Sequence, residues 1–230
     1  MRYAIPSMLT LTVLMAAGCE QPEQEIEQEF EPGTEVAMDT VAGDDVESFR
    51  SQVQEALRTT QDELEELGSR VADRTEEGWE SLSQRAEDVW ADVGESLDRA
   101  RNGDANELAQ SREDAAERLA ELDGEMAATE VKTASTPEEL VEIARERIDR
   151  LQADLAELES ALALQGTTAA NVDSDEVQDL RERLAELNRE VDELAAIETD
   201  EFEDHRDGLA DKFEDVTQDV RAHHYLVQWS

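Results

Sequence analysis

From Val46 onward, apolar side chains recur every eleven residues at four offsets. Val46, Leu57, Gly68, Trp79 and Trp90 form one set, and Phe49, Thr60, Val71, Leu82 and Val93 a second. Val53, Leu64, Thr75, Ala86 and Leu97 form the third, and Ala56, Leu67, Gly78, Val89 and Ala100 the last. Sixteen of these 20 positions are apolar, and only Ala72 and Ala91 fall outside them. Eleven residues in three turns is about 3.67 per turn, so the stripe stays on one face of a nearly straight helix. The pattern predicts a long amphipathic helix, about 82 Å if uninterrupted at 1.5 Å per residue. Gly68, Gly78 and Gly94 are places for bends, each costing about 1 kcal/mol relative to Ala.

Asn102-Gly103 breaks this pattern, and Asp104 with Glu107 three residues later has the form of a capping box. The next helix carries Leu108, Ala115, Leu119, Leu122 and Met126 in the same eleven-residue phase, so a turn and a straight continuation are both compatible with it. A third helix is announced by Thr136 as cap, Pro137 at the first helical position, and Glu138 and Glu139 in the first turn. Here the period changes to seven. Val141, Ala144, Ile148, Leu151, Leu155, Leu158 and Leu162 alternate spacings of three and four, the seam of a coiled coil, and Gly166 marks its stop. Asp173 or Ser174 caps a fourth helix with Val177, Leu180, Leu184, Leu187, Val191 and Leu194 in the same alternation. Two such seams joined by a short loop predict an antiparallel hairpin. A fifth helix runs from about Asp200, with Phe202, Leu209, Phe213, Val216, Val220 and Val227 on one face. No run alternates with period two, so the expected fold is all-α: long amphipathic helices in an elongated bundle or antiparallel coiled-coil hairpins.

The first residues differ from the rest. Arg2 is the only charged side chain before Glu20, and Ala4 to Ala17 form an uncharged, largely apolar run of 14 residues. That is short of the ~20 a spanning helix needs and suits the core of a secretory signal. It ends in Leu14-Met15-Ala16-Ala17-Gly18-Cys19, and Cys19 is the chain's single cysteine. In these residues the chain resembles bacterial lipoprotein precursors, whose signals end in a small-residue box closed by cysteine. The resemblance implies cleavage between Gly18 and Cys19, diacylglyceryl transfer to the Cys19 sulfur and acylation of the new N-terminus. It covers about twenty residues. Ala16 stands where leucine is most frequent, and the basic region is reduced to Arg2. In that family an aspartate after the cysteine commonly signals inner-membrane retention. Glu20 stands there instead, which points to the outer membrane, facing the periplasm or the cell surface.

Between Glu20 and Asp45 there are ten acids and no Lys or Arg, interrupted by Pro22 and Pro32, with no sustained helical stripe. Such a segment cannot bury enough apolar area to offset its ordering entropy, and its like charges extend it. The alternative is that Phe30 or Val36 docks on the domain. The expected organisation is therefore a signal peptide over 1–18, a lipid-anchored acidic tether over 19–45, a repeat segment over 46–131 broken near 102–103, and a three-helix segment over 137–230.

Charge narrows the function classes. Asp and Glu number 61 against 20 Lys and Arg, a formal net charge of −41. Removal of residues 1–18 would leave 19 bases and 61 acids, −42. A balance of this sign argues against nucleic-acid binding, which needs basic patches. It equally disfavours a basic membrane-surface helix. Only two of the bases, Lys132 and Lys212, are lysines. The composition resembles that of proteins from salt-loving bacteria, where concentrated ions screen acidic surfaces.

Catalytic raw material is sparse. There is no phosphate loop, dinucleotide fingerprint or nucleophile elbow, so no catalytic residue, cofactor or metal is assigned. His205, His223 and His224 are the chain's three histidines. Glu201 with His205 and Asp219 with His223 share helix faces, but both pairs lie on one helix, whereas a bundle metal site draws ligands from several. Asp173-Ser174-Asp175 lacks the glycine-centred spacing of a calcium loop. Trp79 and Trp90 lie eleven apart on the stripe and are either core residues or, with Trp229, a candidate partner or lipid face. Tyr225 to Trp229 reads as a docked C-terminus or a short recognition tail. The repeat over 46–126 resembles exchangeable apolipoproteins and desiccation-protection proteins in period, which implies reversible lipid or hydrophobic-cargo binding. The leading expectation is a non-enzymatic envelope lipoprotein, acting as spacer, scaffold or binding surface for a helical partner or a second copy.

Overall fold

The computed structural model describes residues 43–71, 76–165, 174–194 and 201–230. They form six helices and, among the described residues, no strand: α1 Gly43–Val71, α2 Glu76–Asn102, α3 Ala105–Lys132, α4 Pro137–Gln165, α5 Ser174–Leu194 and α6 Phe202–Gln228. The fold is an all-α bundle. The signal region, Cys19, most of the tether, Ala72, Thr75, Gly166 and Asp173 lie outside the described residues.

α1 begins three residues ahead of its apolar stripe, so residues 43–45, expected in the tether, are helical. Asp44 and Asp45 occupy its first turn, where carboxylates complement the N-terminal dipole. The eleven-residue stripe is buried at three of its four offsets wherever its side chains are described, Leu97 excepted: Phe49, Val53, Ala56, Leu64, Leu67, Leu82, Val89 and Val93 all lie in the core. The first offset is the rim, since Val46, Leu57, Trp79 and Trp90 are half-buried. Gly68 is the exception on that offset. The Trp79 ring lies over its Cα, and any β-carbon there would collide with the indole.

At Gly103-Asp104 the chain turns rather than continuing straight. Asp104 accepts from the backbone N–H of Asn106 and Glu107, and the Glu107 carboxylate accepts from Asp104 N–H, which completes the capping box. α3 then returns antiparallel to α2, as Arg85–Glu121 at 2.9 Å and Arg99–Asp114 at 2.6 Å require. The Thr136 hydroxyl accepts from Glu139 N–H at 3.2 Å and opens α4. α4 and α5 form the expected antiparallel pair, joined by Arg145–Asp192 at 2.9 Å and by Arg181–Glu159. α6 runs antiparallel to α5, with Lys212–Glu190 at 2.5 Å and Arg183–Asp219.

The closest helix pair was not legible as a seam. α3 and α6 pack antiparallel along most of their length, because Ala116, Ala120, Gly124 and Ala128 form a buried stripe of small residues at four-residue spacing on α3. A β-carbon at Gly124 would stand 2.8 Å from the backbone oxygen of Glu214. The two segments expected from the change of period are therefore joined through α3 and α6. One apolar core gathers α1, α2, most of α3, Tyr225 and Trp229. The other gathers α4, α5, the rest of α6 and the last turn of α3.

Candidate functional site

Where the two cores meet, the bundle buries charge. Asp123 and Glu130 on α3 are 4% and 2% exposed, although α3 is flanked by apolar and small side chains. Seven residues apart, they lie on the same side of the helix. Burying a carboxylate is costly unless it is paired, and each is met by arginine from another helix.

Glu130 is clamped by Arg147 of α4 and Arg70 of α1, one to each carboxylate oxygen. Desolvation, the largest single influence, raises its pKa. The two guanidiniums together outweigh it and hold the carboxyl below its ordinary range. A solvent-open groove of about 390 Å³ lies over this triad, lined by Leu67, Arg70, Thr133, Glu139 and Ile143 among others.

Asp123 is held differently. The Tyr225 hydroxyl donates to its Oδ2 at 2.7 Å, while Arg221 Nε stays at 3.7 Å, beyond hydrogen-bond reach, and lies closer to Asp154 of α4 at 3.4 Å. Desolvation raises the Asp123 carboxyl. Arg221 opposes this, Glu63 of α1 reinforces it, and the balance stands at about 6. Burial lowers the Arg221 pKa, but Asp123, Tyr225 and Asp154 raise it further, so the guanidinium stays charged.

Above this layer the C-terminus docks on α1. Trp229 is 1% exposed, stacked on Tyr225 with centroids 5.1 Å apart and edge-on to Phe49 at 5.6 Å. Gln52 donates from Nε2 to the Gln228 carbonyl at 3.0 Å. Arg112 lies over the Phe49 ring at 5.8 Å. Of the two readings of residues 225–229, the structure has the docked terminus, and Trp229 presents no face outward. Trp79 and Trp90 pack half-buried against the same core.

The histidines do not converge. His205 is exposed, His223 Nδ1 lies 2.7 Å from the Asp219 carbonyl, and His224 Nε2 lies 3.2 Å from Glu157. Gly18 and Cys19 lie outside the described residues. Among the described residues, then, the structure gathers Trp79, Trp90 and Trp229 around one core, Trp229 with the docked tail, and does not bring the three histidines together. Of the residues it does bring together, Asp123, Glu130, Arg147 and Arg221 were not singled out by pattern, and Tyr225 only as the start of the tail. A signal existed: α3 carries apolar or small residues on two faces, as a helix buried on both sides must, so charged residues between those faces are candidates for burial.

The layer offers paired buried charge and one proton-accepting carboxylate, an arrangement that ties α1, α3, α4 and α6 together. Compared with protein-family models, curated proteins and solved structures, the chain matches none.

Proposed function

We propose that this protein is a non-enzymatic cell-envelope lipoprotein: an acidic helical bundle anchored through Cys19 and held off the membrane by the segment that follows it. The observation that carries the reading is the Leu14-Met15-Ala16-Ala17-Gly18-Cys19 sequence, with the chain's single cysteine at its end and a Pro-interrupted acidic stretch directly after it. Two or more acyl chains on Cys19 make anchoring stable where one is marginal. The outward faces of the helices are acidic, which suits a spacer or scaffold whose helix faces bind a helical protein or a second copy. Residue Glu20 favours the outer membrane. No nucleic acid, cofactor or metal enters this reading.

Detergent phase separation of the protein expressed in a lipoprotein-processing bacterium tests it. The wild type is expected in the detergent phase, with a mass corresponding to cleavage before Cys19 plus acyl chains. Cys19→Ser is expected in the aqueous phase. A wild type that stays aqueous and unacylated refutes the anchor.

A second reading, reversible binding of lipid or hydrophobic cargo, is favoured by one feature: the half-buried rim of Val46, Leu57, Trp79, Trp90 and Leu97 along α1 and α2. Vesicle flotation of the anchor-free protein in high salt decides it, and absence of co-flotation eliminates it.

A further inference from the structure

We infer that the buried polar layer is a proton-operated joint: a proton on Asp123 seats α1 and the Tyr225–Trp229 clasp against the α3–α6 pair, and its loss loosens them. This does not depend on the anchoring of Cys19.

The charges around Asp123 are unequal. α1 presents Glu63, α4 presents Asp154 and Arg147, and α6 presents Arg221 and Tyr225. Arg147 is already engaged by Glu130. On α2 the nearest pairing is Arg85 with Glu121 and Glu125, which stand two residues either side of Asp123 and so on the opposite face of α3. Three carboxylates thus depend on the one guanidinium of Arg221. An ionised Asp123 has the Tyr225 hydroxyl at 2.7 Å, an arginine nitrogen at 3.7 Å and the more distant, already engaged Arg147 to offset its lost hydration. A protonated Asp123 removes that charge and still accepts from Tyr225 through its carbonyl oxygen.

The consequence falls on α1 because the same tyrosine ties α1 down. Tyr225 lies beside Thr60 of α1 and stacks on Trp229, which meets Phe49 of the same helix. The direction follows from the raised carboxyl. Closed, Asp123 titrates at about 6; solvated, at its ordinary 3.8. Closure is therefore favoured fully below the lower value and weakens as pH rises through the upper one. Between pH 5 and pH 7, opening of α1 should increase roughly tenfold.

Hydrogen exchange on the full chain, at constant molar salt and corrected for intrinsic rates, reads this out. The protection of α1 amides in the wild type should fall about tenfold from pH 5 to pH 7, with that of the α4–α5 pair unchanged. Asp123→Asn should show no such dependence. If that variant fails to fold, Tyr225→Phe keeps the carboxylate but removes the donor that favours its ionised form, and its midpoint should move to higher pH. A wild type whose α1 protection is independent of pH overturns the inference. So does the same dependence surviving in Asp123→Asn, or an unmoved midpoint in Tyr225→Phe.

Discussion

Alanine at three glycines of this bundle should give opposite signs, and the structure says which. Gly94 lies in the interior of α2 and Gly208 in that of α6, and a β-carbon at either meets no atom within 4 Å. Alanine there gains helix propensity with no steric consequence, about 1 kcal/mol. At Gly124 the same β-carbon stands 2.8 Å from the Glu214 carbonyl oxygen and 3.5 Å from Gln218 Cβ. The first contact is about 0.6 Å shorter than ordinary packing distance. Its partner is backbone of α6, which no rotamer change can move.

The helices must therefore separate, and the separation is shared by Ala116, Ala120 and Ala128, which have little side chain to fill the gap. Overpacking of a tight core costs typically 1–3 kcal/mol. A rigid partner places Gly124→Ala at the upper end, about 3 kcal/mol, which the propensity gain of about 1 kcal/mol reduces to about 2. For a domain of this size that is a fall in Tm of roughly 4–8 °C, against a rise of roughly 2–4 °C for Gly94→Ala and Gly208→Ala. Thermal melts followed by circular dichroism in the same high-salt buffer compare the three. A Gly124→Ala protein as stable as Gly94→Ala would refute the close approach of α3 and α6.

Glu130→Ala should cost about 3–5 kcal/mol, because it leaves Arg147, itself 7% exposed, buried without its carboxylate; Asp192→Ala, breaking an exposed pair, should cost under about 1 kcal/mol in the same urea titration. Trp229→Ala should cost about 3–5 kcal/mol by opening a void beside Phe49, and a variant as stable as wild type would contradict the docked terminus. Stability should rise from low to molar salt: about 1 M ions shrink the Debye length to roughly 3 Å and relieve repulsion among the 61 acids. The exposed ion pairs lost to the same screening are worth under about 1 kcal/mol each, so the repulsion term decides the sign. Helicity unchanged by circular dichroism between low and molar salt would remove that account of the charge.

Periodicity located the helices well because a stripe facing one core leaves a single phase in the sequence. The heptad seam of α5 is buried at every position from Val177 to Leu194, and the Asp104 and Thr136 caps sit where their side chains demand. α3 escaped this logic. It faces two cores, so its leucines keep one phase while its alanines and Gly124 keep another, and the sum hides both. The break at Gly103 was visible, yet turn and continuation share the same phase, and it takes contacts between the helices, such as the Arg85–Glu121 and Arg99–Asp114 pairs, to separate them. Asp123 and Glu130 resembled dozens of solvated acids because burial of a carboxylate depends on which helix arrives opposite it, which spacing along one chain does not encode.

That dependence gives the buried layer a role in choosing the fold. Small-residue stripes such as Ala116 to Ala128 specify close approach but not register, since a shift of one turn, about 5.4 Å, sets alanine against much the same surface. The polar layer removes that degeneracy. Lys132 meets Asp211 at one end of the α3–α6 pair, and Arg221 meets Asp123 further along it, with antiparallel offsets that agree to within one residue. A one-turn slip would carry Arg221 away from Asp123 and leave a carboxylate buried among Glu63 and Asp154 without its main cation, Arg147 being engaged by Glu130, a penalty of several kcal/mol. α4 is held in step by the same arginine through Asp154, and by Glu157 with His224 one turn further on. With only 20 bases for 61 acids, most carboxylates must be left to solvent and salt. Among the described residues, Arg147 and Arg221 are cations drawn inside: Arg221 fixes α6 against α3 and α4, and Arg147 fixes α4 against α3 at the carboxylate that Arg70 ties to α1.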